Sequence, residues 1–451
     1  MSAVGVATGA VRRNTELGLL ILSTLVIVGA YVLASLPEDG EIPTNLVPFL
    51  GFVIGLQLAA HVAMRRLAPF ADPLLLPLAS LLSGIGYVFI VRIDEARANP
   101  AGLAGLQSVW FMIAVGAFIG TLLVVRDLRV IERLRYTAGL VGLALLLLPL
   151  APVIGRNING ARIWVSIGPM NFQPNELAKI ALAVFFAGYL AEKRELLSVN
   201  RMLGRIPVPQ PKHVGPVLAA WGAALLVMAF QNDLGPAILT FALFLVLFWV
   251  ATERGTYLLA GTALFAGGVW LAHSLFDHVR DRFTIWLDPW PVAQDEGFQV
   301  VQSMFAFADG GLTGQGLNLG IPTRIPEVQN DFIFAAIGEE LGLLGATGIV
   351  VSFLLIIAVG LGIAVRANSP FQRLLATGLT TLIGLQAFII MAGVTRLMPL
   401  TGITLPFVSF GGSSLISNFV LLALLLRISH ASGEREGEQQ AAMEHTQALA
   451  W

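Results

Sequence analysis

The chain contains no cysteine, which excludes disulfides, thiol nucleophiles and thiolate metal sites. Charge is scarce. Asp, Glu, Lys and Arg make up 12% of the 451 residues, against roughly 25% in a soluble domain, so a soluble globular protein is excluded as well. There is no net field either: 27 Lys and Arg against 28 Asp and Glu leave a formal charge of -1, which recruits neither nucleic acid nor an acidic partner. Histidine is limited to 6 residues and no His-Glu-x-x-His pattern occurs, which argues against a zinc hydrolase. No repeat with a period of about 20 to 50 residues interrupts the reading.

What the chain has instead is long apolar runs, 56% hydrophobic residues in all. A bilayer-spanning helix needs about 20 of them, and the runs fall at about 16–36, 46–63, 73–92, 106–125, 134–153, 174–192, 214–231, 235–252, 257–276, 339–365, 371–394 and 403–428. The expected fold is therefore an all-α polytopic membrane protein of about twelve transmembrane helices. Eighteen of the cationic residues lie on one set of alternating connections, starting with Arg12 and Arg13. Eight lie on the other set, and Lys179 lies inside a span. The positive-inside rule then puts both termini in the cytoplasm. The first run exceeds the roughly 7 to 15 residues of a signal-peptide core and reads as a retained anchor. The polar stretch from Ala431 to Trp451 reads as a disordered cytoplasmic tail, and Gln231–Pro236 as a tight outer turn with Pro236 opening the next helix.

One connection is exceptional. Residues 277–330, between helices 9 and 10, form a large extracellular loop, where compact proteins seldom keep more than about 15 unstructured residues without a function. It interleaves Asp277, Arg280, Asp281, Arg282, Asp288, Asp295, Glu296, Asp309, Arg324 and Glu327 with Trp286, Trp290, Phe298 and Phe305. Charged groups beside aromatics suit a sugar that carries a phosphate. Phe298 to Ala308 reads as a short helix at the outer membrane surface.

Four constellations carry candidate chemistry. Asn159-Gly160-Ala161-Arg162-Ile163-Trp164 precedes Gln173-Pro174-Asn175-Glu176-Leu177-Ala178-Lys179, and Glu176 and Lys179 share a helical face at i and i+3. Intramembrane charges face a bundle interior or a wet cavity, so this pair either locks helices together or lines a substrate site. The second constellation, Gly310 to Gly320, lacks the Gly-Lys-Ser/Thr ending of a nucleotide P-loop. It reads as tight turns, with a backbone phosphate cradle as the alternative. The third is a carboxylate set, Asp288, Asp295 and Glu296, backed by Asp331, Glu339 and Glu340. These are either solvated charges or the source of a general base or an oxygen-type divalent metal ligand. Finally, Thr395 to Pro406 followed by Ser409-Phe410-Gly411-Gly412-Ser413-Ser414 breaks a span with Pro and Gly, which a membrane tolerates only against protein or water.

Gly160-Ala161-Arg162-Ile163-Trp164, Gln173 to Lys179, Asp233-Leu234-Gly235, Gly297-Phe298-Gln299 with Gln302-Ser303, Asp331 to Ala335, Gly338 to Gly342, and Gly402 to Pro406 with Gly411 to Ser414 together resemble the SEDS family (shape, elongation, division, sporulation) of RodA and FtsW. The resemblance covers residues 72 to 430 in order. It implies a core over 71–430 that includes the outer loop, two additional helices over 1–70 as in actinobacterial RodA-type members, and a tail over 431–451. Thr401, where FtsW proteins commonly carry Lys, favours the RodA branch.

The activity implied is a peptidoglycan glycosyltransferase that joins lipid II into glycan strands on the outer face of the cytoplasmic membrane, for cell elongation and shape. Its partners would be the nascent strand, membrane lipid and a class B penicillin-binding protein, with no nucleic acid. No nucleotide cofactor is expected, and the cofactor expectation is a divalent cation, Mg or Mn. The family's essential Asp column falls on Val292 here, which leaves Asp295 and Asp288 as candidate catalytic carboxylates, Asp295 preferred because it is nearer Gln299. Arg162, Glu176, Lys179, Gln299, Gln302, Asp331, Glu339, Arg396 and Ser413 are the candidate substrate-binding residues. Two other functions stay open: a lipid II flippase, and a non-catalytic scaffold of the elongation machinery.

Overall fold

The computed structural model describes residues 3–35, 45–97, 101–152, 154–158, 161–167, 170–198, 200–203, 206–209, 211–231 and 233–448. In chain order they form α1 (Ala3–Ser35), α2 (Leu46–Leu67), α3 (Leu75–Glu95), α4 (Leu103–Val124), α5 (Leu128–Arg133) and α6 (Arg135–Leu147), then strands β1 (Gly155–Ile158), β2 (Ala161–Ile167) and β3 (Met170–Phe172). After α7 (Asn175–Ser198) come β4 (Asn200–Leu203), β5 (Ile206–Pro209), α8 (Pro211–Phe230), α9 (Leu234–Thr252) and α10 (Gly255–Leu275). The chain continues with α11 (Asp277–Leu287), α12 (Phe298–Gly310), α13 (Ile333–Arg366), α14 (Pro370–Val394) and α15 (Gly412–Ala448).

Each of the twelve expected spans falls on a helix, and among the described residues 10 helices are long and apolar enough to cross a membrane. The other two differ for identifiable reasons. α6 stops after 13 residues and runs into a single 3-10 turn at Leu148–Leu150 around Pro149, short of the length a straight crossing needs. α7 has the length, 24 residues, but carries Glu176, Lys179, Glu192 and Lys193.

The chain folds as two compact units. One comprises Met1–Arg126, Thr284–Ala367 and Ala387–Trp451, the other Asp127–Phe283 and Asn368–Gln386. In the first, α3 is the central span, and small residues let its neighbours approach closely, as is usual where lipid supplies no hydrophobic drive between helices. A Cβ added at Gly84 would stand 2.2 Å from Ile27 Cδ1 on α1, and one at Gly86 would stand 2.2 Å from the Val408 carbonyl oxygen. The added helices α1 and α2 are joined by a buried ionic group: Arg13 pairs with Glu16, whose Oε1 lies 2.7 Å from His61 Nδ1. Removing one member would leave an uncompensated buried charge. In the second unit α6, α7, α8 and α9 pack on one another, while α10 buries none of its residues.

Several boundaries depart from the sequence reading. The last span was expected from residue 403, but α15 starts at Gly412. The segment before it turns through positive φ at Arg396, Gly402 and Phe407 with Pro399 and Pro406 between them, so no helix can propagate through it. The expected disordered tail is helical, because α15 runs on without a break to Ala448. The strands were not foreseen, although the fold remains essentially helical. β1, β2 and β3 form an antiparallel sheet with Val165 opposite Phe172 and Arg156 opposite Trp164. The signals for it were the Asn159-Gly160 and Gly168-Pro169 pairs, strong turn formers; these four residues lie outside the described residues.

α13 is broken rather than straight. Gly342 has φ 64 and ψ -165, which frees backbone groups that must be satisfied in a low-dielectric setting. The glycine run satisfies them. Gln315 N and Gly316 N donate to the carbonyls of Glu339 and Glu340 at 3.0 Å each, and Leu343 N and Leu344 N donate to those of Gly311 and Leu312 at 3.0 and 3.2 Å. A Cβ on Gly314 would meet the Glu340 carbonyl oxygen at 2.2 Å, so the splice needs glycine at that point. The phosphate-cradle reading of Gly310 to Gly320 therefore gives way: these amide donors are spent on the broken helix.

Candidate functional site

In the second unit the candidate groups gather where α7 begins. Pro174 and Asn175 are buried, and Glu176 sits in the first helical turn, where the helix dipole favours an acid. One turn later Lys179 Nζ donates to Glu176 Oε2 at 2.7 Å and to Gln386 Oε1 of α14 at 2.8 Å. Glu176 is 8% exposed and Lys179 6%, so the pair is buried and bridges α7 to α14. Arg162 lies half-buried on β2, with its backbone N–H donating to the Gln231 carbonyl at 3.4 Å. Its guanidinium has no partner among the described residues.

The turn between α8 and α9 adds a group that the sequence reading quoted but did not assign. Asn175 Nδ2 donates to Gln231 Oε1 at 3.0 Å and to Asp233 Oδ2 at 3.3 Å. Burial pushes the Asp233 carboxyl up to about 7, and the charge of Glu176 acts in the same sense, against the Asn175 hydrogen bond and the Arg282 charge. Asp233 can therefore hold a proton near neutrality. Asn175, Gln231, Asp233 and Gln386 form the polar setting of the pair. The available signal was a lone amide, Gln386, in an otherwise apolar run.

A pH dependence follows from Asp233. Its native carboxyl keeps a proton up to about pH 7, whereas an unfolded Asp loses it near 3.9. The stabilising contribution is complete below the unfolded value and is lost as pH rises through the window to about 7, a change on the order of 4 kcal/mol. Thermal unfolding between pH 4 and pH 8 should therefore show declining stability in the native protein and a flatter profile in Asp233→Asn. Identical slopes would remove Asp233 from the account.

In the first unit the outer-loop carboxylates are exposed. Asp288 follows α11 and its Oδ1 accepts from Trp290 N at 3.3 Å. Val292 is half-buried, and its carbonyl accepts from Asp295 N at 3.1 Å and Gly297 N at 3.0 Å. That turn carries Asp295 and Glu296 outward just before α12 begins. Asp295 has no side-chain partner among the described residues, which leaves its carboxylate available. α12 is anchored by Gln299 Nε2 donating to the Pro326 carbonyl at 3.0 Å and by buried Ser303 Oγ donating to the Val394 carbonyl at 3.1 Å. Gln302 is half-buried on the same helix.

Other candidates are occupied with structure. Arg396, at φ 60, donates from Nε to the Trp286 carbonyl at 2.9 Å and from Nη2 to the Leu287 carbonyl at 2.7 Å, holding the C-terminal end of α11. Glu339, 4% exposed, accepts the Ile321 N–H at 2.8 Å. Glu340 accepts the Asn318 N–H at 3.2 Å and faces Arg92 Nε at 3.4 Å. Asp331 is half-buried just ahead of α13, and Ser413 is buried in the first turn of α15 beside the Thr404–Ser414 hydrogen bond. Among the described residues no three His, Asp or Glu side chains gather into a metal cage.

Residues 73–434 match the family model FtsW/RodA/SpoVE, described as cell cycle protein. The chain is 41% identical over 427 residues to the peptidoglycan glycosyltransferase RodA of Mycobacterium tuberculosis, covering 93% of this chain and 91% of the relative. It is 38% identical over 289 residues to the probable peptidoglycan glycosyltransferase FtsW of Geobacter sulfurreducens, covering 64% and 75%. Among solved structures, a chain from a peptidoglycan synthase complex that coordinates polymerization and crosslinking matches with TM-score 0.64 at 28% identity, over 80% of this chain and 98% of the other. The rod shape determining protein RodA of Thermus thermophilus matches with TM-score 0.56 at 27% identity, over 80% and 96%.

Proposed function

The chain belongs to the FtsW/RodA/SpoVE family, and on that premise we propose how this multi-pass membrane protein acts as a peptidoglycan glycosyltransferase of the RodA type. The observation that carries the reading is the 41% identity to a peptidoglycan glycosyltransferase along 93% of the chain. The substrate is lipid II. A sugar hydroxyl of the acceptor loses its proton to a carboxylate and attacks the anomeric carbon of the donor. The bond from that carbon to the undecaprenyl diphosphate breaks, and the diphosphate departs with the bonding electrons. Asp295 is the proposed base, since its carboxylate is exposed and has no side-chain partner among the described residues; Asp288 is its alternate. Arg162, whose guanidinium has no partner among the described residues, is the proposed cation for the departing diphosphate.

A divalent cation, Mg2+ or Mn2+, would be held by Asp288 together with substrate phosphates, as Mg2+ usually is, and would supply charge neutralisation while Asp295 stays available as the base. A class B penicillin-binding protein is the proposed partner, supported by the likeness to a chain of a peptidoglycan synthase complex. The purified chain with that partner should make glycan polymer from lipid II. Transport of lipid II in vesicles without polymer would replace this reading with the flippase, and neither activity would leave the scaffold.

The proposed orientation, both termini cytoplasmic and 277–330 outside, rests on the distribution of Lys and Arg. Because native cysteine is absent, single Cys substitutions at the exposed Gln315 and Gln439 report it cleanly. An impermeant thiol reagent on intact cells should label position 315 and spare 439; the reverse pattern would invert the topology.

A further inference from the structure

A polar cavity of about 220 Å3 lies in the first unit, where several spans begin and end, and the glycosyl transfer makes no use of it. Arg12 opens the apolar part of α1, Asp72 precedes α3, Arg366 is the last residue of α13, and Ser429 and Glu436 stand on the polar end of α15. The volume falls below the roughly 300–1,000 Å3 of drug-sized pockets, which restricts the occupant to a small polar group.

Two arginines face carboxylates across this space without bonding to them. Arg366 Nη2 stands 3.9 Å from Asp72 Oδ2, and Arg12 Nη2 stands 3.7 Å from Glu436 Oε2. Charge-assisted hydrogen bonds close to about 2.7–2.9 Å, so these pairs neutralise charge and leave donors unspent. Both side chains are nonetheless anchored. Arg12 Nη1 donates to the Phe70 carbonyl, and Arg366 Nε donates to the Gly362 carbonyl at 3.2 Å. Gly433 leaves room for the first of these, since a Cβ there would stand 2.4 Å from Arg12 Nη1. Ser429 Oγ accepts from Asp72 N at 2.9 Å, and its own proton is a further donor to the cavity.

We propose that this cavity binds the phosphate of an anionic phospholipid headgroup, with Arg12 and Arg366 as the clamp. Planar guanidinium forks match phosphate oxygens, the cavity sits at headgroup level, and the exposed Arg65 and Arg66 add general attraction for an anionic leaflet. Asp72 and Glu436 neutralise the arginines when the site is empty and compete with the phosphate for them. The inference is independent of the glycosyltransferase reading, because binding is read without polymer.

The test titrates the full-length purified protein with phosphatidylglycerol, phosphatidylcholine or inorganic phosphate and follows thermal unfolding. Phosphatidylglycerol should raise Tm and phosphatidylcholine should not. Arg12→Gln with Arg366→Gln should weaken phosphatidylglycerol binding about tenfold or more, and Glu436→Gln should strengthen it by removing a competitor. Equal titrations of native protein and double variant would overturn the proposal, as would an equal loss in Arg65→Gln with Arg66→Gln, the mark of a diffuse basic belt. A Tm rise with inorganic phosphate that the double variant abolishes would transfer the site to free phosphate and overturn the lipid assignment. Should the double variant fail to fold, Glu436→Gln decides alone: unchanged or weaker binding overturns the clamp.

Discussion

Asp295→Asn should lower the rate of glycan polymerisation by roughly 10²- to 10⁴-fold, the usual cost of losing a general base, with thermal stability unchanged. The stability half follows from the surroundings of this carboxylate. It is exposed and without a side-chain partner among the described residues, its position is set by backbone bonds to the Val292 carbonyl, and an exposed charge adds little to folding. The rate half rests on chemistry, because an incoming sugar hydroxyl needs a carboxylate that is not already hydrogen-bonded. Asp288, exposed but accepting from Trp290 N, is the control. The comparison is lipid II polymerisation by native protein, Asp295→Asn and Asp288→Asn, with the penicillin-binding protein and Mg2+ present. Selective loss in Asp288→Asn would move the base to that residue, and wild-type rates in both variants would remove both residues as the base.

Asp295 also illustrates what could be read from the sequence. A carboxylate three residues beyond Val292 was visible as a residue type. Its availability was not, because that depends on a turn whose backbone bonds close onto Val292. The ten long apolar helices were legible because apolar run length is a one-dimensional property that the bilayer selects directly. Their ends were less so: Pro399, Gly402 and Pro406 delay α15, and the kink at Gly342 depends on carbonyls and amides of a loop some way off in sequence. The glycine run advertised unusual backbone, but its partners are the carbonyls of Glu339 and Glu340, and without them turns and a phosphate cradle could not be told apart. Glu176 and Lys179 were legible as a pair through their i, i+3 spacing. Gln386, 207 positions from Lys179, was not, and it is the contact that turns a helix-surface pair into a lock between α7 and α14. Where side chains meet only through the fold, a single sequence leaves competing roles undecided.

The lock sets the second large expectation. Lys179→Met should destabilise the protein by roughly 3–5 kcal/mol, the cost of stranding one partner of a buried ion pair. The loss should be aggravated because Glu176 would lose the ammonium now bonded to it at 2.7 Å, beside the buried Asp233 turn. Glu176→Gln should cost less, since Gln can still accept from Lys179 and Gln386 already holds that ammonium at 2.8 Å. The informative variant is the double replacement Glu176→Leu with Lys179→Met, which removes both charges and should recover most of the lost stability, as apolar substitutes for buried pairs often do. Polymerisation by that double variant separates the two roles. If it folds and works, the pair is a lock between helices and nothing more. If it folds with a normal melting curve and makes no polymer, these charges also serve the substrate, and Glu176→Gln should then show a loss of rate that exceeds its loss of stability. Should the double variant melt as low as Lys179→Met alone, the charges are not what holds α7 against α14, and the packing of the surrounding apolar residues carries the contact instead.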